Sequence, residues 1–223
     1  MDLLLENFAN LDSLLQIYPL LLQGLRLTAL LAAVALPVSI VGGLTVALLY
    51  SFGGRVTRGI LIVIIDFLRA FPVLVLLVLV FYGLPFLGVT LGSFTAVVFA
   101  LGLNNTGYFG EIFRAGLASI PRGQSEAAAA LGLNRFHILL LVMLPQALRK
   151  VLAPLAGNAL ELIKTTSIGS LVAMPELLRS ARVAQEQTYN PTPLMAAAAI
   201  YFILLWPFAR WVAVLERRAI ARG

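Results

Sequence analysis

Apolar residues in this chain gather into long blocks, with polar residues in short clusters between them. Five blocks reach the length of about 17–25 residues that a helix needs to cross a bilayer: residues 20–50, 60–82, 94–115, 146–164 and 194–214. The first is long enough for a tilted or partly interfacial helix. The pattern predicts an all-α polytopic membrane protein, one transmembrane domain over residues 1–223, with no repeat of 20–50 residues. Pro37, Pro72 and Pro145 are expected to kink or interrupt helices, which membranes tolerate where neighbours satisfy the freed carbonyls.

One stretch breaks the pattern. Residues 116–145 hold "GQSEAAAALG", where Glu126 to Ala130 favour helix because alanine gives up no side-chain entropy. Ser125 or Gln124 is suited to starting that helix and Gly132 to ending it in a left-handed turn. About two turns are too few to be stable alone, and the segment is too polar to span. Its flat alanine faces fit either a docking element or a connector packed on its own bundle.

Composition supports the bilayer as solvent. The 223 residues are 61% hydrophobic and 12% charged, with mean hydropathy +0.97; a soluble domain carries about a quarter charged residues. The absence of cysteine excludes disulfides and thiolate metal sites. A net charge of +6 invites a nucleic-acid reading, but the cations form no patch with interleaved aromatics, so no nucleic-acid partner is expected. They lie between the apolar blocks. On one side fall Arg55 and Arg58, then Arg114, Arg122, Arg135, Arg149 and Lys150, then Arg210, Arg217, Arg218 and Arg222. On the other fall Asp2, Glu6 and Asp12, the uncharged turn "YGLPFLGVTLGS", and residues 176–190, where Glu176 and Glu186 balance Arg179 and Arg182. The positive-inside bias then places the N-terminus outside and the C-terminus and residues 116–145 in the cytoplasm; Arg26 can snorkel outward. The N-terminus carries no cation before Arg26, so no cleaved leader is expected.

No enzyme chemistry is visible. A P-loop needs a glycine-rich run before Lys-Thr, whereas Lys164-Thr165 follows Ile163 within an expected span. His137 is the single histidine, read as interfacial, so zinc-protease and triad patterns have no support and no metal or catalytic residue is assigned. Ionisable residues inside spans are more informative, since each costs about 2.5–3.5 kcal/mol at the bilayer centre on insertion scales. Asp66/Arg69, Glu111/Arg114 and Glu161/Lys164 share an i,i+3 spacing that puts both members on one helix face. The first two read as structural pairs. Glu161 lies roughly 16 Å from Lys150 along a helix, near the midplane; it either selects a substrate with a positive group or neutralises Lys164. Asn104, Asn105 and Thr106 fall midway along the third block, and Thr165, Thr166 and Ser167 at the end of the fourth. Such side chains often only hold helices together.

Glu126-Ala127-Ala128, three residues, Gly132, nine residues, Val142, one residue and Leu144-Pro145 resemble the EAA loop of permease subunits of ATP-binding-cassette importers, with Val142 where isoleucine is usual. "DFLRAFP" is similar to the second-span signature of polar amino acid permeases, with Ala70-Phe71 replacing the usual Gly-Thr. Asn104, Tyr108, Glu111, Arg114 and Gly123-Gln124 follow the pattern of that family, and "KTTSIGSLVAMPELLR" resembles its Lys-Asp-Thr-Ser-Leu to Pro-Glu-Leu segment. The likeness covers residues 18–218.

The resemblance implies a type I importer permease fold of five transmembrane helices with a cytoplasmic coupling helix, in a bacterial plasma (inner) membrane. It implies that Glu126, Ala127, Ala128, Gly132, Leu144 and Pro145 serve ATPase coupling, and that Asn104, Thr166 and Ser167 line the path with Glu161 and Lys164. Relatives commonly carry a small polar residue at position 161, so Glu161 stands out as an addition suited to a basic amino acid or an opine. Implied partners are two ATPase subunits holding ATP and magnesium, a second permease (the same or a paralogous chain) with the path at the two-fold interface, and a periplasmic or lipid-anchored solute-binding protein. This chain would bind no cofactor itself. Residues 176–190 and "YGLPFLG" are the expected receiving surface for the solute-binding protein. The alternative is a stand-alone ion-coupled secondary transporter or channel, which leaves the EAA spacing unexplained and lacks a visible inverted repeat.

Overall fold

The computed structural model describes residue 8 and residues 10–220. Asp2, Glu6 and Arg222, which entered the charge argument, lie outside the described residues. The described chain runs α1 (Leu11–Phe52), α2 (Arg55–Ala70), α3 (Val73–Leu87), α4 (Ser93–Ala118), α5 (Arg122–Ala130), α6 (Arg135–Val172), α7 (Leu177–Thr188) and α8 (Thr192–Ile220). By length and composition α1, α6 and α8 can each cross a membrane, and α2 with α3 adds a fourth crossing if the broken pair counts as one span. In the third expected span lies α4, 26 residues long, carrying Asn104, Asn105, Glu111 and Arg114 among its apolar residues.

The prolines behave unequally. Pro37 leaves α1 continuous over 42 residues, and Pro145 sits inside the unbroken α6. In hydrocarbon the backbone has no water to bond, so losing one helical bond is cheaper than opening the helix. Upstream of Pro145, residues Ile138–Met143 form a π segment, and such a widened turn absorbs the missing N–H and the ring's bulk. The helical fourth block therefore starts at Arg135, earlier than expected. Pro72 does interrupt: Phe71 turns extended (φ −81°, ψ 123°), the conformation forced on a residue before proline. Beyond Tyr82 the chain stays helical to Leu87, then turns at Gly88.

Two compact units divide the chain. One comprises Met1–Leu36, Pro72–Leu101 and Leu160–Arg210. Its core joins Ile17 and Leu21 of α1, Leu177, Ala181 and Ala184 of α7, and Ala197 of α8. The spacing of the α7 residues makes one apolar stripe, which is why this short helix lies flat on its neighbours. The Leu177 N–H donates to Thr28 Oγ1 at 3.0 Å, fixing its first turn to α1.

The other unit comprises Pro37–Phe71, Gly102–Ala159 and Trp211–Gly223. Here α1 and α4 approach closely: a Cβ on Gly43 would lie 2.5 Å from Phe109 Cβ and 2.6 Å from the Gly110 nitrogen. Only glycine fits. Between helices in lipid such close packing, with interhelical hydrogen bonds, replaces the hydrophobic drive. One such bond runs from Asn158 Nδ2 to Asn105 Oδ1 at 3.2 Å.

Candidate functional site

Helix α5 starts at Arg122, directly after Pro121, so neither Gln124 nor Ser125 caps it; the Ser125 hydroxyl donates to Arg122 O inside the first turn. Its end matches the sequence expectation. Gly132 is left-handed (φ +83°), its N–H donates to Ala129 O at 2.9 Å, and the Leu133 N–H donates to Ala128 O at 3.2 Å. These are the two bonds of a Schellman stop. Nothing lies within 4 Å of a Cβ built on Gly132, so backbone conformation, not space, demands glycine there. The turn then passes to Asn134, whose side chain accepts from the His137 N–H at 3.0 Å and caps α6. Sequence and capping together fix a two-turn helix followed by a tight turn.

Helix α5 is held on one side only. Ala128 is its one buried residue among those described, and α5 packs against the π segment Ile138–Met143. Glu126 and Ala127 are exposed, and Leu131 is 82% exposed. Gln146 Nε2 contacts Gln124 Oε1 at 3.4 Å, and Lys150 Nζ donates to Ser119 O at 2.9 Å, bracing the preceding turn. The six motif residues therefore separate. Glu126, Ala127, Ala128 and Gly132 belong to α5 and its stop, whereas Leu144 and Pro145 lie within α6.

The three charged pairs differ in setting. Glu111 and Arg114 form a two-bond fork at 2.8 and 2.7 Å, partly buried, with the guanidinium over Tyr50 at 5.5 Å. Asp66 and Arg69 meet only at 4.0 Å, and Arg69 lies over the Tyr108 ring. Glu161 Oε2 and Lys164 Nζ are in contact, yet their side chains are 65% and 49% exposed. A charged pair open on a membrane-crossing helix has to face water or a partner rather than lipid.

The remaining path candidates are dispersed. Ser167 and Lys164 line a groove of about 570 Å3 in their unit, together with Arg182 and Tyr201. Thr166 is fully buried, its hydroxyl donating to Ile163 O at 2.7 Å. Asn104 belongs to the other unit and is engaged at the Pro72 break: its Nδ2 donates to Leu68 O at 2.8 Å and Phe71 O at 3.0 Å. The Tyr108 hydroxyl donates to Arg69 O at 3.1 Å. These two side chains satisfy carbonyls that the broken helix exposes.

Glu176 is the residue whose setting the sequence did not reveal. Expected as a surface counter-charge, it is fully buried and caps α7, accepting from Arg179 N at 2.7 Å, Leu178 N at 2.9 Å and the Tyr201 hydroxyl at 3.2 Å. Burial pushes its carboxyl above the ordinary range, against those donors and the nearby Arg182 charge. Its position just before the α7 pattern was the available signal, but glutamate is not among the favoured N-caps. Among the described residues no group of three or more His, Cys, Asp or Glu could hold a metal ion.

Comparison with known proteins fits this geometry. The family model described as "Binding-protein-dependent transport system inner membrane component" matches residues 17–221. A probable amino-acid ABC transporter permease of Bacillus subtilis, YckA, is 30% identical over 96% of this chain and 95% of its own length. The glutamine transport system permease GlnP of Escherichia coli is 30% identical over 84% of this chain and 86% of its own. The crystal structure of an amino acid ABC transporter with histidines superposes with a TM-score of 0.83 at 32% identity, covering 92% of this chain and 97% of that one. The inward-facing MetNI methionine transporter shares the fold at a TM-score of 0.75, with 21% identity over 90% of this chain and 96% of that one. A multi-pass inner-membrane chain, helical with no strand among its described residues and matched over residues 17–221, belongs to the binding-protein-dependent transport system inner membrane components, as an amino-acid ABC transporter permease of the type I importer fold.

Proposed function

We propose that this permease forms, with a second permease subunit, the path of an ATP-driven importer for polar amino acids, and that α5 is the handle by which ATPase subunits move it. The observation that carries this reading is the exposed, small-faced helix Arg122–Ala130, ended by the left-handed Gly132 and burying Ala128 alone among its described residues. Two ATPase subunits, each binding ATP and magnesium, grip this handle from the cytoplasm. The N-terminus faces outward, where a periplasmic or lipid-anchored binding protein delivers solute near residues 176–190. Glu126→Lys, or Gly132→Asp, leaves the protein inserted but cuts ATPase association or transport at least about tenfold, the weight of an interfacial anchor. Normal transport with the ATPase bound at wild-type affinity would refute the docking role.

The cargo is an amino acid, a reading supported by relatives named for glutamine and L-cystine transport. Glu161, open beside Lys164, favours a cationic member of that class, such as a basic amino acid or an opine. Uptake by Glu161→Gln then falls for arginine while glutamine uptake holds. Equal loss of both would point to a neutralising pair instead.

A further inference from the structure

A cavity of about 460 Å3 lies in the unit that holds α5, and three guanidinium groups line it: Arg58, Arg114 and Arg135. Two of them are set on one ring, with Arg58 at 5.4 Å and Arg114 at 5.5 Å from the centroid of Tyr50. Arg58 is further fixed by donating from Nε to Tyr50 O at 3.1 Å and from Nη2 to Ser51 O at 3.3 Å. Those carbonyls end α1, where the helix dipole favours a cation. Glu111 neutralises Arg114 through their fork. None of the ion pairs among the described residues includes Arg58 or Arg135. Three arginines against one carboxylate leave two positive charges outside any ion pair along one cavity, whose lining also includes Ser51 and Ser125.

Apolar side chains share the lining: Leu117, Ile138, Leu139 and Met143, the first three of them buried. Planar guanidiniums recognise phosphate oxygens in pairs, and basic pockets between membrane helices hold anionic headgroups while the adjoining apolar surface takes the acyl chain. Ordinary topology requires cations near this membrane boundary. It does not require three arginines, two of them outside the ion pairs among the described residues, to line one cavity together with apolar side chains.

We propose that this cavity is a phosphate-binding site, occupied in the membrane by the headgroup of an anionic phospholipid. The site rests on the chain's membrane location, and on neither its cargo nor its ATPase. The test uses the purified full-length chain and native mass spectrometry after exchange into mixed micelles of phosphatidylglycerol and phosphatidylcholine, with inorganic phosphate alone as a separate probe. Retention of phosphatidylglycerol over phosphatidylcholine is expected, weakened about fivefold in Arg135→Gln, the effect of one cation near a lipid surface. Arg58→Gln combined with Arg135→Gln abolishes it, and Arg135→Lys keeps most of it. Arg135 is exposed, so thermal melting of Arg135→Gln should match wild type and exclude misfolding. Binding of inorganic phosphate with the same Arg135 dependence, without retained lipid, keeps the phosphate site and assigns it to a soluble ligand. Equal retention of both lipids with no phosphate binding, or retention unchanged in Arg135→Gln, overturns the proposal. Transport and ATPase association are not read, so this outcome is independent of the coupling role of α5.

Discussion

Two short helices, α5 and α7, interrupt the run of long ones, and the structure treats them oppositely. Helix α7 turns Leu177, Ser180, Ala181 and Ala184 into its own unit and starts on the buried cap Glu176. Helix α5 buries only Ala128 among its described residues and leaves Leu131 open. The first is a connector packed on its own bundle. The second packs on the π segment Ile138–Met143 yet leaves most of its residues exposed, and a two-turn helix is marginal unless something holds it. Burial, not alanine content, separates the two, and the exposed face of α5 is the surface the proposed ATPase would cover.

That contrast predicts different damage in the two helices. The largest structural effect is expected from Glu176→Ala, which removes a cap, orphans the Leu178 and Arg179 N–H groups and takes one partner from the Tyr201 hydroxyl. It should destabilise the purified protein by about 2–3 kcal/mol, read as a lowered melting temperature. An unchanged melt would mean that α7 is no better anchored than α5. At the other end of the scale, Gly132→Asp forces a side chain into left-handed backbone and costs about 1 kcal/mol. Its melt should shift little even though coupling fails. A large stability loss there, with coupling retained, would erase the distinction between handle and connector.

Much of this was legible before the coordinates. Apolar blocks mark the long helices because a bilayer demands about 20 such residues in a row. Gly132 announced its left-handed turn because little else tolerates one, and the i,i+3 charge pairs met as their spacing requires. What stayed hidden depends on neighbours remote in sequence. Pro72 breaks its helix and Pro145 does not, and the difference involves Asn104 and Tyr108 bonding the freed carbonyls at one site and a π segment at the other. Asn104 read as a polar group in a span, yet it serves a break 33 residues away. Glu176 read as surface charge because burial of a carboxylate is invisible until Thr28, Tyr201 and α7 are seen around it. The starts of α5 and α6 were misjudged for a related reason. Pro121 and Asn134 set those ends, and both lie outside the alanine and apolar runs that drew attention.

The central claim is that α5 is an intracellular handle covered by an ATPase. The chain has no cysteine, so a single Ala127→Cys variant reports on one exposed position. In right-side-out vesicles carrying the whole transporter, a membrane-impermeant maleimide should leave this cysteine unlabelled. After inversion of the vesicles it should react when the ATPase has been stripped and be shielded when the ATPase is restored. Labelling from the outside, or equal labelling of inverted vesicles with and without the ATPase, would contradict the account.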